Sequence, residues 1–197
     1  MIDKKELCVP GIPDNLFVRG SIPMTKEEIR VITLSKARIG PGMVIWDIGS
    51  GTGSISVEAA LMAPGGKVFA VERSGEGCRL ISENSLLFGA GNVEVVEGEA
   101  PGILDRLPPA SRVIVGGSGG RLKDIVRVVE GTMLSGGRLV INSVSLETLT
   151  SAMDCLGTGW ETEVVQVSVS KSKTMGASHI MKAYNPVFII TAWRCGV

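Results

Sequence analysis

Short runs rich in Val and Ile alternate with helix-patterned stretches along most of this chain, and that alternation limits its fold more than any other feature. The runs are "MVIWDI" (43–48), "KVFAVE" (67–72), "NVEVVEG" (92–98), "RVIVGG" (112–117) and "RLVINSV" (138–144), bounded by Gly, Pro or Asn. Between them lie "SISVEAALMA", "GCRLISENSLLFGA", "RLKDIVRVVEGTML" and "SLETLTSAMDCL". In the third of these stretches Leu122, Ile125, Val126, Val129 and Met133 fall on one helical face. Strands that are apolar on both faces and separated by helices predict βαβ units around a buried parallel sheet.

The last part of the chain has a different pattern. "WETEVVQVSVS" (160–170) places a polar or small residue between successive apolar ones, and "PVFIITAW" (186–193) is a further strand. No helical pattern separates the two, so they are expected to pair antiparallel at the sheet edge. The stretch 171–185 between them is expected to be a loop. Seven strands, mostly parallel with an antiparallel last strand and helices on both faces, describe the Rossmann-like α/β architecture of class I methyltransferases. Upstream, "PMTKEEIRVITLSKARI" (23–39) predicts a helix, with Thr25 and Glu28 as a capping box and Ile29, Val31 and Ile32 as apolar positions. Residues 1–20 are expected to form an irregular arm. The whole, 1–197, is expected to be one domain, with the arm and first helix occupying 1–40.

"WDIGSGTGS" (46–54) places Gly49, Ser50, Gly51, Thr52 and Gly53 between the first strand and its helix. This is the carboxyl end of the sheet, where open α/β folds bind ligands. Glycines there let a ligand approach the main chain, and helix N-terminal amides favour anionic groups. A dinucleotide fingerprint needs G-x-G-x-x-G, but its sixth position here is Ser54. The spacing is G-x-G-x-G instead. Glu72 ends the second strand 23 residues after Gly49, placed to accept from both hydroxyls of a ribose. That acid suits NAD and S-adenosylmethionine equally; the glycine spacing and the antiparallel final pair favour S-adenosylmethionine. Asp47 stands just ahead of the loop. Glu99 and Ala100 of "VEGEAP" (96–101) follow the third strand, where adenine is commonly bracketed.

Charge narrows the partners. Lys plus Arg and Asp plus Glu are both 20, so no overall field attracts nucleic acid or an anionic membrane. The eight aromatic residues offer few stacking platforms for bases. No stretch is apolar enough to span a bilayer, and "MIDKKELCVPG" lacks the apolar core of a signal peptide. The four cysteines, Cys8, Cys78, Cys155 and Cys195, have no metal or redox spacing. A cytoplasmic protein with reduced thiols and no protein-bound metal is therefore expected. After Glu163 there is no acidic residue, while Lys171, Lys173, Lys182, Arg194 and the sole histidine, His179, all follow it. Such a local excess of cations suits a polyanionic substrate, although a solvated face would have the same composition.

The arm "GIPDNLFVRGSIPMTKEEIRVITLSKARI" followed by "WDIGSGTGSISVEAA" resembles the decarboxylating cobalt-precorrin-6B carbon-15 methyltransferases of cobalamin biosynthesis. "EGEAP", "INSVSLETL" and "MKAYNPVFII" extend the likeness over almost the whole chain. The glycine loop is common to many methyltransferases; "GIPD…F.R…PMTK" is the discriminating part. The resemblance implies an S-adenosylmethionine-dependent enzyme that methylates carbon 15 of a tetrapyrrole, cobalt-precorrin-6B or precorrin-6B, and releases a ring acetate carboxyl as carbon dioxide. It implies cofactor contacts at Thr25, Gly49, Ser50, Gly51, Thr52, Gly53, Glu72 and Ala100. It also implies a homotetramer and a carbon-5 methyltransferase partner. For the substrate carboxylates Arg19, Lys171, Lys173 and Lys182 are candidate partners, with Asn142 and His179 as further substrate contacts. No catalytic acid or base stands out. Rival readings are a methyltransferase acting on transfer RNA or protein, a non-catalytic nucleotide-binding module, and an NAD-dependent oxidoreductase.

Overall fold

The computed structural model describes residues 10–194, so Cys8, Cys195 and the first nine residues of the arm lie outside the described part. A first helix and four βα units follow the arm, with β3 running on to β4 without an α-helix between them. In chain order they are α1 (Glu27–Ala37), β1 (Val44–Ile48), α2 (Ser54–Met62), β2 (Lys67–Glu72), α3 (Gly75–Phe88), β3 (Val93–Glu97), β4 (Arg112–Val115), α4 (Leu122–Thr132), β5 (Arg138–Ser143) and α5 (Leu146–Cys155). The chain closes with β6 (Glu161–Val167), β7 (Ser170–Met175), β8 (Ser178–Ala183) and β9 (Val187–Trp193). One seven-stranded sheet runs β3-β2-β1-β4-β5-β9-β6, and β7 and β8 form a separate two-stranded ribbon.

The strand cores match the apolar runs. Ile45, Trp46 and Ile48 of β1 are buried, as are Val113, Ile114 and Val115 of β4. One apolar cluster lies against α4 and α5 through Leu122, Ile125, Val126, Val129 and Ala152. The other lies against α1 and α2 through Ile29, Leu34, Ala37, Ile55, Val57 and Ala59. Strand order reverses direction at β1 and β4, which pair parallel with Asp47 beside Ile114. The chain ends leaving β1 and β4 therefore open a crevice at the carboxyl edge.

The end of the sheet differs from the expected arrangement in detail. Strand β9 does pair antiparallel with β6, but it also inserts beside β5, so β6 becomes the edge strand. The stretch expected to be a loop is the β7–β8 ribbon, closed by a tight turn in which Gly176 adopts φ 59°. Its register sets Lys171 opposite Lys182, an unfavourable pair of like charges. Each finds another partner. Lys171 Nζ sits 2.6 Å from Glu28 Oε1, and Lys182 lies 5.9 Å from the ring centre of Tyr184.

The capping box expected at Thr25 and Glu28 does not form. Helix α1 begins at Glu27 with Lys26, one residue beyond Thr25, as its N-cap and no side-chain cap bond; Glu28 instead meets Lys171. The buried face of α1 is Ile29, Arg30, Thr33, Leu34 and Ala37; Val31 and Ile32 are only half-buried. A charged residue inside this face is unusual, and its surroundings explain it. Arg30 Nε donates to Glu58 Oε1 at 2.5 Å, and both side chains are fully buried. Glu58 also accepts from the amides of Gly11 (2.9 Å) and Ile12 (3.0 Å). The remaining Arg30 nitrogens reach the carbonyls of Ile12 and Thr25 and the Asp14 carboxylate. The Phe17 ring covers the guanidinium at 4.8 Å and itself packs on Phe88.

The network binds residues 11–25 against α1 and α2 as a strap. Replacing only one member leaves the other as an unpaired buried charge. Arg30→Met should therefore lower stability by about 3–5 kcal/mol, read as a reduced urea midpoint, with a much smaller change for Lys36→Met at an exposed pair.

Candidate active site

Two cavities lie side by side at the carboxyl edge. The larger, of about 570 Å³, is bounded by residues 23–26 of the strap, the loop after β1, the loop after β4, and the β5–α5 junction. The smaller, of about 350 Å³, is bounded by Ile22, Pro23, Glu72, Arg73, Glu99 and Ala100 with the same two loops. Pro23, Gly49, Gly51, Gly116, Gly117 and Ser118 border both, so the cavities are halves of one cleft.

The wall between the halves requires glycine. Gly49 adopts φ 72°, and a Cβ there would stand 2.5 Å from the Gly117 carbonyl oxygen and 2.8 Å from its Cα. The two loops can approach this closely only because Gly49 has no side chain; a Cβ on Gly117 would meet Gly49 no closer than 3.9 Å. At the end of β2 the Glu72 carboxylate accepts from the Gly51 amide and the Ser74 amide, each at 2.9 Å. These bonds orient Glu72 toward the smaller cavity while leaving lone pairs on both oxygens for further donors.

Asp47 is the ionisable group at the base of the larger cavity. It is 1% exposed, Ser56 donates to its Oδ2, and its Oδ1 has no hydrogen-bond partner. Burial pushes its carboxyl up from the usual 3.8 to about 6; the hydroxyls of Ser56 and Ser50 oppose that rise, and the charge on Glu72 adds to it. Asn142 supplies a second polar group, with Oδ1 3.0 Å from the Thr33 hydroxyl and a buried Nδ2 that has no partner.

The candidate residues read from the sequence divide cleanly. Thr25, Gly49, Ser50, Gly51 and Asn142 line the larger cavity, and Gly49, Gly51, Glu72 and Ala100 line the smaller. Thr52 and Gly53 line neither. Thr52 is buried with its carbonyl accepting from Asn84 Nδ2, and Gly53 packs against Ile81, whose Cα would be 3.0 Å from an added Cβ. Arg19 is turned away, donating through Nε and Nη2 to the Asp14 carbonyl. Lys171, Lys173, His179 and Lys182 stand on the β7–β8 ribbon outside both linings, because that segment folds on itself. Among the described residues the larger cavity has one lysine in its wall, Lys26, and no arginine. The loop after β4, Gly116–Ser118, borders both cavities although no site was expected there; its signal in the sequence is a run of glycines directly behind a strand. No cluster of potential metal ligands occurs among the described residues.

The sheet order, the bare main chain at the switch point and the acid ending β2 define a class I methyltransferase. Similarity to known proteins narrows the class. A model of the precorrin methyltransferase domain matches residues 15–195. The cobalt-precorrin-6B C(15)-methyltransferase (decarboxylating) of Salmonella typhimurium is 40% identical over 184 residues, covering 92% of this chain and 95% of that one. The crystal structure of precorrin-6y C5,15-methyltransferase from Geobacter metallireducens superposes with a TM-score of 0.89 at 43% identity, covering 94% and 96% of the two chains. That of precorrin 8w decarboxylase from Methanobacterium thermoautotrophicum gives 0.87 at 32% identity, covering 91% and 98%. The chain belongs to the precorrin methyltransferase family.

The perturbed Asp47 makes a pH-dependent expectation. Between about pH 4 and 6 the folded chain holds a proton on this group that the unfolded chain has released. The stability tied to it is present in full below about pH 4 and is lost as the pH rises through about 6. Asp47→Asn should remove that loss, so that urea unfolding at pH 7 finds the ligand-free variant more stable than the parent by about 1–3 kcal/mol.

Proposed function

We propose that this enzyme methylates carbon 15 of cobalt-precorrin-6B or precorrin-6B, with S-adenosylmethionine as donor, and releases a ring acetate carboxyl as carbon dioxide. The observation that carries the reading is the divided cleft: a smaller half ending at Glu72, joined through glycine walls to a larger and more apolar half. The names of relatives at 40% identity and above over nearly the whole chain support the chemistry assigned to it.

The residues present fit such a donor. Glu72 would accept from ribose hydroxyls, Ala100 and Gly98 would flank the adenine, and the unpartnered Asp47 Oδ1 would accept from the methionyl ammonium. Thr25 and Ser50 complete the same wall. When bound, the donor supplies a methyl already activated on a sulfonium, so the protein's work is alignment and exclusion of water. The strap contributes to both. Its Pro23 carbonyl lies 3.3 Å from where a Gly51 Cβ would stand, and its residues 22–25 close the cleft from the side opposite the β4 loop. In the substrate, the carbon–carbon pair left by the departing carbon dioxide offsets the positive charge that the methyl brings to the ring, and the proton taken up at the former acetate carbon is matched by one the ring gives up. Any cobalt belongs to the substrate.

The same reading places the enzyme in the cytoplasm as a single-domain homotetramer, in pathways where a carbon-5 methyltransferase acts beside it. The exposed apolar side chains Met175, Ile180 and Met181 on the β7–β8 ribbon support self-association, and sedimentation equilibrium measures its order. No helix among the described residues is long and apolar enough to cross a membrane.

Incubation with cobalt-precorrin-6B and S-adenosylmethionine should yield a product that has gained one methyl group and lost one carbon dioxide by mass spectrometry. A product changed at neither position would end the reading. Glu72→Ala should weaken S-adenosylhomocysteine binding by at least about tenfold in calorimetry, as expected for lost charge-assisted bonds, with the thermal midpoint little changed.

A further inference from the structure

Two large apolar side chains stand open to solvent beside the larger cavity, Val144 in its lining and Leu146 two residues further on, outside it. Val144, directly after β5, lines the cavity yet is 69% exposed, and Leu146, at the first position of α5, is 66% exposed. Ser145, which caps α5, lies between them, and Thr148 one turn on returns to the cavity wall. Packing does not account for this exposure, since the face of α5 that meets the sheet is the one bearing Ala152. Lys26 is the lysine in the wall of the same cavity, and its contact with Asp14 is long, 3.9 Å to Oδ2, while Arg30 holds Oδ1 at 3.2 Å.

Resting on the function proposed above, we propose that Val144 and Leu146 form an apolar shelf on which the flat face of the tetrapyrrole lies, with Lys26 pairing with one of its peripheral carboxylates. Size requires such a surface. A cavity of about 570 Å³ is of the order that encloses a drug-sized molecule, and the methionyl end of the donor occupies part of it. A macrocycle of four pyrrole-type rings with acetate and propionate arms cannot be enclosed there, so it must lie across the mouth with one edge inside. Its faces are apolar and its rim anionic, which matches an apolar shelf beside a single cation. The ribbon cations are not needed for this role: Lys171 is paired with Glu28, and the ribbon lies outside the cavity wall.

Both shelf residues are exposed, so polar replacements should not disturb folding. The double variant Val144→Ser, Leu146→Ser should raise KM for cobalt-precorrin-6B about tenfold, as loss of apolar contact with the ring predicts. Its dissociation constant for S-adenosylhomocysteine and its thermal midpoint should be unchanged. Lys26→Met should raise KM about threefold and flatten its dependence on salt. Unchanged KM values would overturn the shelf, and so would a parallel loss of S-adenosylhomocysteine affinity, which would assign these residues to the donor. A changed mass in sedimentation would assign them to a subunit contact and overturn it as well. Titration of the macrocycle by its visible absorption separates this proposal from the functional reading. A parent enzyme that binds the ring without turnover refutes the reaction while still testing the shelf. Turnover by the parent with unaltered variants refutes the shelf alone.

Discussion

The close approach of Gly49 to Gly117 is the constraint on which the site depends. Strands β1 and β4 pair in register, and at their carboxyl ends the two loops come within a distance that no Cβ could occupy. The contact makes a thin wall of main chain with a cavity on either side. The chemistry proposed here needs both halves of one small molecule to pass along that wall.

The wall is open on one flank, and the strap closes it. The strap is held by an ion pair that is fully buried and fully hydrogen-bonded, the condition under which such pairs persist in an apolar interior. Arg30 connects the helix that carries it to the arm before it and, through Glu58, to the helix behind the glycine loop. The same guanidinium holds the Thr25 carbonyl. Core packing and the cavity wall thus share one charged group, so disturbance of the core is transmitted to the cleft. Asp47 shows the complementary case, a buried acid left with one oxygen unpartnered, at a cost in stability accepted where a ligand is to be bound.

Much of the site was legible because local patterns imposed it. The strand before the glycine loop, the loop itself and the acid ending β2 are contiguous signals, and Gly49, Gly51, Glu72 and Ala100 stand where they were expected. Thr52 and Gly53 belong to the same motif but lie outside both linings, against Asn84 and Ile81, since a loop of five residues cannot turn all of them to one side. The expected capping box at Thr25 did not form because the helix starts one residue later, with Lys26 as its N-cap, and Glu28 meets a partner more than a hundred residues away. The cations expected around the substrate were read from their density in sequence, yet a ribbon folding on itself carries Lys173, His179 and Lys182 outside the cavity linings.

The sequence alone determined the alternation of strand and helix, and with it the parallel sheet and the crevice at its carboxyl edge, because these follow from periodicity and chain-local turn chemistry. It also determined that the loop after β1 is rich in bare main chain. Tertiary structure alone decided which charges are buried, which polar atoms are left without partners, and which side chains meet at the mouth of the cleft. Those outcomes depend on pairs such as Arg30 with Glu58, or Lys26 with Val144 around one cavity, whose members are distant along the chain. No local pattern encodes the distance between two such residues; only the packed sheet and helices set it.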